Sequence, residues 1–264
     1  MPVAGNRAER VGRDRMRKAY LTVRSAILWV ISGIHFAVVC TFLIFLAAII
    51  DPRKNDWPQR LFFRNILRLA GARLEVRRAP GFDPNRTSLF ICNHVNLFDP
   101  FVIYSAIPQF LRGFELESHF KIPVYGWMMG RFGNIPVPDA PSREGLEMMR
   151  TRAKVAFDSG ISLIAFAEGS RTRDGHVQEF KKGIFGLAQK FGIPIVPMSM
   201  TGSYQFFQTG NWILFPRKIV VYLHETIETK DIGRGEVDEL RQRVQDIVAG
   251  PVEAELAANP VEKV

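Results

Sequence analysis

A run of 26 residues without a charged side chain, from Ser25 to Ile50, constrains the fold of this chain more than any other feature. The run is rich in Ile, Leu, Val, Phe and Ala, and about 20 such residues suffice for a helix to cross a bilayer. It exceeds the apolar core of about 7–15 residues found in signal peptides, and no small-residue cleavage site follows it. The sequence therefore predicts an N-terminal hydrophobic helical element that associates with a membrane.

Basic residues flank this run on both sides. Seven Arg and Lys residues lie within residues 1–24, and the far side carries Arg53, Lys54, Arg60, Arg64 and Arg68. The whole chain has 35 Lys and Arg against 26 Asp and Glu, a formal net charge of +9. Such an excess favours a polyanionic partner. Because the cations cluster around the apolar run rather than among aromatic residues, we expect an anionic membrane surface as the partner and no nucleic acid.

Two arrangements of the N-terminus fit the sequence. One is a single tilted span, and the other is a bent or paired helix that dips into one leaflet, with its bend near Ser32-Gly33 and His35. We favour the second, because both basic flanks would then face the same anionic surface. The next segment predicts an amphipathic interfacial helix. Its apolar side chains are Leu61, Phe62, Phe63, Ile66, Leu67 and Leu69.

From about Leu74 onward, short apolar runs alternate with helical patterns, which predicts an α/β fold with a mixed central sheet flanked by helices. Strands are expected at Arg73–Arg78, Ser88–Cys92, Ile161–Ala167, Ile195–Met200 and Lys218–His224. Helices are expected from Asp99 to about Phe110, Ser142 to Ser159, Lys182 to Phe191 and Glu236 to Val248. Cys40 and Cys92 lie in unlike contexts, so we expect no disulfide and a reducing compartment.

The motif Asn93-His94-Val95-Asn96-Leu97-Phe98-Asp99-Pro100 follows the second predicted strand. Histidine takes up and returns protons near neutral pH. An aspartate can hold the imidazole in one tautomer and stabilise the imidazolium as it forms. The pair His94 and Asp99 therefore predicts a general base that needs no Ser or Cys nucleophile, provided that the substrate brings its own hydroxyl. Cys92 could form a Cys/His pair with His94, but a buried packing role is favoured.

A second motif, Glu168-Gly169-Ser170-Arg171, follows the strand predicted at Ile161–Ala167. Glycine permits close backbone approach or an unusual φ. The planar guanidinium of arginine suits a phosphate. Taken alone, this pattern is also typical of a surface turn with a solvated arginine.

Together, the two motifs resemble those of the glycerolipid acyltransferase family. Phe180-Lys181-Lys182-Gly183 and the apolar block Ile193–Met198 also resemble family segments, and order and spacing agree from about residue 75 to 225. Charge and hydropathy divide the N-terminus into a basic amphipathic segment, 1–24, and hydrophobic and interfacial membrane-anchoring helices, 25–70. The resemblance makes residues 71–264 an acyltransferase catalytic domain.

The resemblance implies transfer of a fatty acyl group from acyl-CoA or acyl-carrier protein to the hydroxyl of a lysophospholipid, with lysophosphatidic acid as the first choice of acceptor. His94 would be the general base and Asp99 its orienting partner. Backbone N–H groups of the motif loops would stabilise the oxyanion. No bound cofactor and no metal are expected, and the protein would work at the cytoplasmic face of the cell membrane. Acceptor and donor binding are assigned to Glu168, Gly169, Ser170, Arg171 and Lys181.

One departure concerns the acceptor. The family often carries a Gly-x-Ile-x-x-x-Arg block between the motifs, and here Gly133-Asn134-Ile135-Pro136-Val137-Pro138-Asp139 ends in an acid. Arg131 or Arg143 could replace the missing cation, or the acceptor could be another lysolipid, such as a lyso-ornithine lipid. From other classes, a non-catalytic basic membrane-binding protein and a hydrolase that uses water remain alternatives.

Overall fold

The computed structural model describes residues 5–51, 56–123, 125–140 and 142–260. Residues 1–4 of the basic segment, together with the flanking Arg53 and Lys54, lie outside these ranges. The described residues form two N-terminal helices packed on an α/β domain.

The N-terminal helix α1 (Gly5–Ile49) pairs with helix α2 (Trp57–Ala70). The Phe36 and Phe62 rings lie 5.9 Å apart, and the Arg24 side chain lies over Gly71, so the two helices run antiparallel. α1 continues through Ser32-Gly33, so the bend expected there is wrong; the antiparallel pair is formed by α1 and α2 instead. A glycine inside a helix costs only about 1 kcal/mol, which packing along α1 offsets.

The apolar face of α2 is buried inside the protein. Phe62, Phe63, Ile66 and Leu67 all belong to the core that α1, α2 and α3 form on one side of the sheet. For these four side chains the expectation of a membrane interface is therefore wrong, whereas Leu61 of the same predicted face is exposed. An amphipathic pattern records that one face leaves water, and here the neighbouring helices cover it.

The sheet confirms the predicted mixed α/β architecture. Within the described residues it has seven strands in the order β1-β7-β6-β2-β5-β3-β4. Neighbouring strands are parallel except for the antiparallel pair β6 and β7. The strands are β1 (Ala72–Arg78), β2 (Leu89–Cys92), β3 (Leu111–Leu116), β4 (Ile135–Val137), β5 (Ser162–Phe166), β6 (Ile195–Thr201) and β7 (Arg217–Leu223).

Helices cover both faces of this sheet. On the face opposite α1, α2 and α3, a second core joins the sheet to α5, α6 and α8. The remaining helices are α3 (Asp99–Ala106), α4 (Tyr125–Arg131), α5 (Arg143–Asp158), α6 (Gly183–Phe191), α7 (Ser203–Phe206) and α8 (Val237–Ala258), with 3₁₀ turns at Glu117–Lys121 and Arg234–Glu236.

Two helix ends and the strand β3 differ from expectation. α3 ends at Ala106 rather than near Phe110, because Pro108 follows and the chain turns into β3. β3 itself was not predicted, since Arg112, Gly113 and Glu115 break the apolar alternation expected of a strand. α8 continues ten residues beyond the predicted end at Val248, through Pro251.

The side chain of Arg60 on α2 holds the end of α3. Its guanidinium donates to the carbonyl oxygens of Pro108 at 3.0 Å and Gln109 at 2.8 Å, and also to that of Ile107. These carbonyls follow the last turn of α3 and would otherwise lack partners from the helix.

We therefore expect Arg60→Ala to lower the free energy of unfolding by about 1–3 kcal/mol, because the carbonyl oxygens of Ile107 and Gln109, both at buried residues, lose their donor. Arg64→Ala, one turn along α2 and exposed, is the matched control and should change it by less than about 0.5 kcal/mol. Urea denaturation of the two variants checks this. Equal effects from both would contradict the assigned role of Arg60.

Candidate active site

The two motif loops meet at the carboxyl ends of the central strands β2 and β5. β2 and β5 are parallel neighbours with Cys92 beside Phe166, so the loops that leave them lie side by side. Sites in open α/β sheets form outside the carboxyl ends of such strands. The backbone N–H of Thr172 donates to the carbonyl oxygen of His94 at 2.9 Å and joins the two loops directly.

The predicted pair of His94 and Asp99 is in contact. His94 Nδ1 lies 2.8 Å from Asp99 Oδ2, and the same oxygen accepts the backbone N–H groups of Val95 at 2.6 Å and Asn96 at 3.0 Å. Asp99 is fully buried, whereas 19% of the His94 side chain is exposed. A proton on Nδ1 shared with Asp99 leaves Nε2 as the basic nitrogen of the ring.

Phe166 fixes the plane of the imidazole. The rings of His94 and Phe166 stack with centroids 3.9 Å apart and an interplanar angle of 15°. A hydrogen bond at Nδ1 and a stacked ring together leave the imidazole little freedom to rotate. Sequence reasoning missed this residue, although its position at the last residue of β5, two before Glu168, offered a signal.

Glu168 links the two loops from inside. Its Oε1 accepts the backbone N–H of His94 at 2.7 Å, and its Oε2 accepts that of Gln178 at 3.0 Å. Burial raises the pKa of Glu168 to about 7, against the two backbone N–H bonds, which lower it. The carboxylate therefore points into the protein and orients the backbone at His94.

Gly169 needs to be a glycine. Its φ is +74°, a conformation that other residues rarely adopt, and Lys181 Nζ lies where a Cβ would be. The Lys181 side chain thus crosses directly over the loop. Ser170 is exposed, and its hydroxyl lies 3.4 Å from Gln178 Oε1.

Arg171 is exposed, and no carboxylate in the described ranges forms an ion pair with it. The positive charge of Arg171 affects the pKa of Tyr125. Burial and the neighbouring Glu115 raise the pKa of the Tyr125 hydroxyl, while Arg171 lowers it. Tyr125 also donates to Glu115 Oε2 at 3.0 Å, and His119 bonds the other oxygen of that carboxylate. Sequence reasoning missed this cluster, since β3 was not predicted.

The position of the missing arginine is occupied by a hydrogen-bonded acid. Asp139 accepts the backbone N–H of Ser118 at 2.9 Å and its hydroxyl at 2.6 Å. Arg131, one suggested replacement, donates to the carbonyl oxygen of Ala47 at the end of α1. Arg143, the other, is the exposed first residue of α5.

Aromatic residues hold the His94 loop from behind. Phe98 packs against Trp29 of α1 at 5.8 Å and against Phe206 at 5.0 Å and Phe207 at 5.6 Å. Asn96 donates through its side chain to the carbonyl oxygens of Ser203 and Phe207, each at 2.9 Å. α1 is therefore part of the support of the candidate base.

The His94 loop also bears on the oxyanion donors and on the role expected of Cys92. The backbone N–H groups of His94, Val95 and Asn96 already bond carboxylates, so an oxyanion would need other donors.

Cys92 is buried beneath the loop, and burial raises the pKa of its thiol well above the ordinary range. A thiol in that setting packs rather than attacks, as favoured from the sequence.

The segment that carries this site is similar to known proteins. Residues 73–201, which include both loops and just under half of the chain, match the family model described as Acyltransferase. The solved structure of the 1-acyl-sn-glycerophosphate (LPA) acyltransferase PlsC from Thermotoga maritima has the same fold, with a TM-score of 0.75 over 93% of this chain and all of that one, at 23% identity.

Curated relatives share the domain at low identity. A Brassica napus 1-acyl-sn-glycerol-3-phosphate acyltransferase, BAT2, is 31% identical over 53% of this chain and 40% of its own length. A Limnanthes douglasii protein of that enzyme name is 27% identical over 61% of this chain and 58% of its own. The Pseudomonas aeruginosa protein of that name is 22% identical, over 67% and 68%. The chain spans about half the length of the two plant relatives.

The buried carboxyl of Glu168 gives a testable pH dependence. Its pKa is about 7 in the folded protein against an ordinary 4.5. Between these values the folded state keeps a proton that the unfolded state has lost, so this group stabilises the fold at low pH and the stabilisation is lost as pH rises. Glu168→Gln removes the titration.

The measured quantity is the difference between the unfolding free energies of the wild type and of Glu168→Gln. We expect this difference to fall by up to about 3 kcal/mol as the pH rises from 4.5 to 7. Glu179→Gln, at an 84% exposed side chain, is the control, and its difference should stay constant with pH. Denaturant titrations across the pH series measure both differences. A constant difference for Glu168→Gln as well would contradict the buried carboxyl.

Proposed function

We propose that this protein transfers a fatty acyl group from a thioester, acyl-CoA or acyl-carrier protein, to the free hydroxyl of a lysophospholipid. The first acceptor to test is 1-acylglycerol-3-phosphate, the substrate in the names of the relatives. The observation that carries the proposal is the imidazole of His94, fixed by Asp99 and Phe166 with Nε2 left basic at an accessible edge of an acyltransferase-family domain.

The reaction needs one proton carrier. His94 Nε2 takes the proton of the acceptor hydroxyl as the oxygen attacks the thioester carbonyl, and Asp99 stabilises the imidazolium. The tetrahedral intermediate then breaks its C–S bond, and the leaving thiolate takes the proton back from Nε2. No bond forms between the acyl group and the protein. General base catalysis of this kind is typically worth about 10²–10⁴-fold in rate.

The exposed cations of the second loop suit the phosphate of the acceptor. Arg171 offers a planar fork of donors that matches phosphate geometry, and Lys181 adds a point charge above Gly169. Ser170 supplies a hydroxyl beside them. In this proposal Glu168 acts through the backbone of His94, as a positioning residue, because both of its oxygens are engaged inside the protein.

Asp139 supports a second candidate acceptor. It places an exposed carboxylate where the expected arginine is missing, next to strands β3 and β4 at the same edge of the sheet. A carboxylate disfavours a second phosphate charge and favours an ammonium or hydroxyl group. A lyso-ornithine lipid, or a lysophospholipid with a larger head group, is therefore the alternative acceptor.

The membrane attachment follows from how α1 packs. Residues Arg15–Ile49 are long and apolar enough to cross a membrane by length and composition. Yet α1 touches the α/β domain from Leu21, beside Ile213, to Ala47, beside Arg131. That contact runs for about 39 Å of helix, longer than the bilayer core of about 30 Å. If α1 spanned the bilayer, the part of the α/β domain packed on it would have to enter the hydrocarbon core. We therefore propose that α1 lies in the membrane plane, at the cytoplasmic face of the cell membrane.

The general base is tested with His94→Ala and a histidine control. We expect His94→Ala to lower kcat by about 10²–10⁴-fold with an unchanged circular dichroism spectrum. His176→Ala, at an exposed histidine paired with Glu253, should keep full activity. Acyl transfer from a labelled thioester to lysophospholipid in vesicles is the measurement.

Other outcomes would contradict the proposal. Full activity of His94→Ala removes the proposed mechanism. Release of free fatty acid without dependence on a lysolipid identifies a hydrolase. Salt-sensitive membrane binding by a wild-type protein that transfers no acyl group from either donor identifies a non-catalytic protein.

The acceptor is tested with Arg171→Ala on a panel of lysolipids. If Arg171 binds a phosphate, KM for 1-acylglycerol-3-phosphate rises at least about tenfold, since a charge-assisted hydrogen bond contributes about 1.5–3 kcal/mol. Arg173→Ala, an exposed arginine two residues along, should leave KM unchanged. Preference of the wild type for a lyso-ornithine lipid, with KM insensitive to Arg171→Ala, would decide for the alternative acceptor.

A further inference from the structure

The short helix α4 and the residues before it present large apolar side chains to solvent. Trp127 is 66% exposed and Ile122 is 47% exposed, although both belong to the α/β domain and not to the N-terminal helices. We call these two residues the α4 patch. An exposed tryptophan gains free energy when another surface removes its ring from water, and indole rings favour membrane interfaces.

The α4 patch continues the exposed apolar face of α1. Arg131 donates to the carbonyl oxygen of Ala47 near the end of α1, and Trp127 lies one turn before Arg131 on the same side of α4. Met128 anchors α4 in the core shared with α1. The exposed apolar residues of this end are Phe42, Phe45 and Ile49 on α1 and Trp57 and Leu61 on α2.

The other side of α4 belongs to the candidate site. Tyr125 bonds Glu115 of β3, and β3 lies beside β5, whose following loop carries Arg171. α4 therefore lies between the end of α1 and the cation proposed to meet the acceptor phosphate. Whatever surface covers Trp127 also adjoins the side of the site where Arg171 lies.

We propose that the α4 patch is a second membrane contact, carried by the α/β domain, which holds the Arg171 side of the site against an anionic bilayer. This inference rests on the membrane attachment proposed above for α1. With contacts from α1, α2 and α4 the protein has one defined orientation on the bilayer. A lysolipid then enters laterally, its head group moving to Arg171 without leaving the interface.

Charge and shape favour a bilayer as the occupant. The exposed cations Lys121 and Arg131 flank the α4 patch, and the exposed acids Glu117 and Asp139 lie at the start of the preceding turn, where Ser118 bonds Asp139. Along α1 the exposed apolar residues recur from Met16 to Ile49, about 50 Å of helix. A long apolar stripe with basic flanks matches an anionic lipid interface, which offers both apolar depth and negative charge along its whole extent.

The test compares full-length variants on vesicles of phosphatidylcholine with phosphatidylglycerol, and of phosphatidylcholine alone. Trp127→Ala should weaken binding to the anionic vesicles about tenfold, because a large apolar side chain no longer leaves water on binding. Trp127→Phe should restore most of the affinity. The matched control is Val155→Ala, at a 60% exposed residue of α5 on the opposite face of the sheet.

Activity provides a second readout. For acceptor embedded in vesicles, Trp127→Ala should raise KM about tenfold, in line with the lost binding. Its kcat on a dispersed short-chain acceptor should stay at the wild-type value, because Trp127 does not touch the reacting groups.

Three results would overturn the inference, and a fourth separates it from the proposed function. Wild-type affinity in Trp127→Ala removes the second contact. Equal loss in Val155→Ala shows a general effect of apolar surface. A dimer in sedimentation that Trp127→Ala dissociates assigns the patch to a second copy of the chain. If the wild type itself does not bind vesicles, the membrane attachment proposed for α1 fails first.

Discussion

The buried carboxylate of Asp99 accepts three hydrogen bonds at a single oxygen, and the arrangement of the site depends on it. The bonds from Val95 and Asn96 close the loop after β2, and the third orients the imidazole of His94. Asp99 also begins α3, where the helix dipole favours a negative charge. One side chain thus sets the loop, the helix start and the tautomer of the candidate base.

Around this carboxylate, support comes from three directions. Glu168 holds the backbone of His94, Phe166 stacks on its ring, and Phe98 connects the loop to Trp29 on α1. The last contact means that the helix proposed to lie in the membrane is packed on the loop that carries the candidate base. Membrane attachment and site geometry are therefore properties of one packed body rather than of an anchor and a separate domain.

The sequence predicted the pair His94 and Asp99, the mixed sheet and most of its strands, because local spacing and apolar periodicity determine these features. It did not predict what depends on packing. The apolar face of α2 is equally consistent with lipid and with a protein core, and only the fold places α1 and α3 against it. β3 was missed because its charged residues interrupt the apolar alternation expected of a strand. Only the fold supplies the neighbours that bond them, such as Tyr125 for Glu115. The sequence also did not predict that the Glu168 carboxyl binds backbone N–H groups, because these groups come from His94 and Gln178, which only the fold brings beside it.

In the proposed mechanism His94 activates the hydroxyl of the acceptor directly, so that the acyl group never becomes attached to the protein. Intact-protein mass spectrometry after mixing the enzyme with a labelled acyl thioester tests it most directly, first without and then with lysophospholipid. Direct transfer leaves the protein mass unchanged in both mixtures and gives labelled diacyl lipid only in the second. A protein heavier by one acyl group in the first mixture, which transfers that group when lysophospholipid is added, would contradict it.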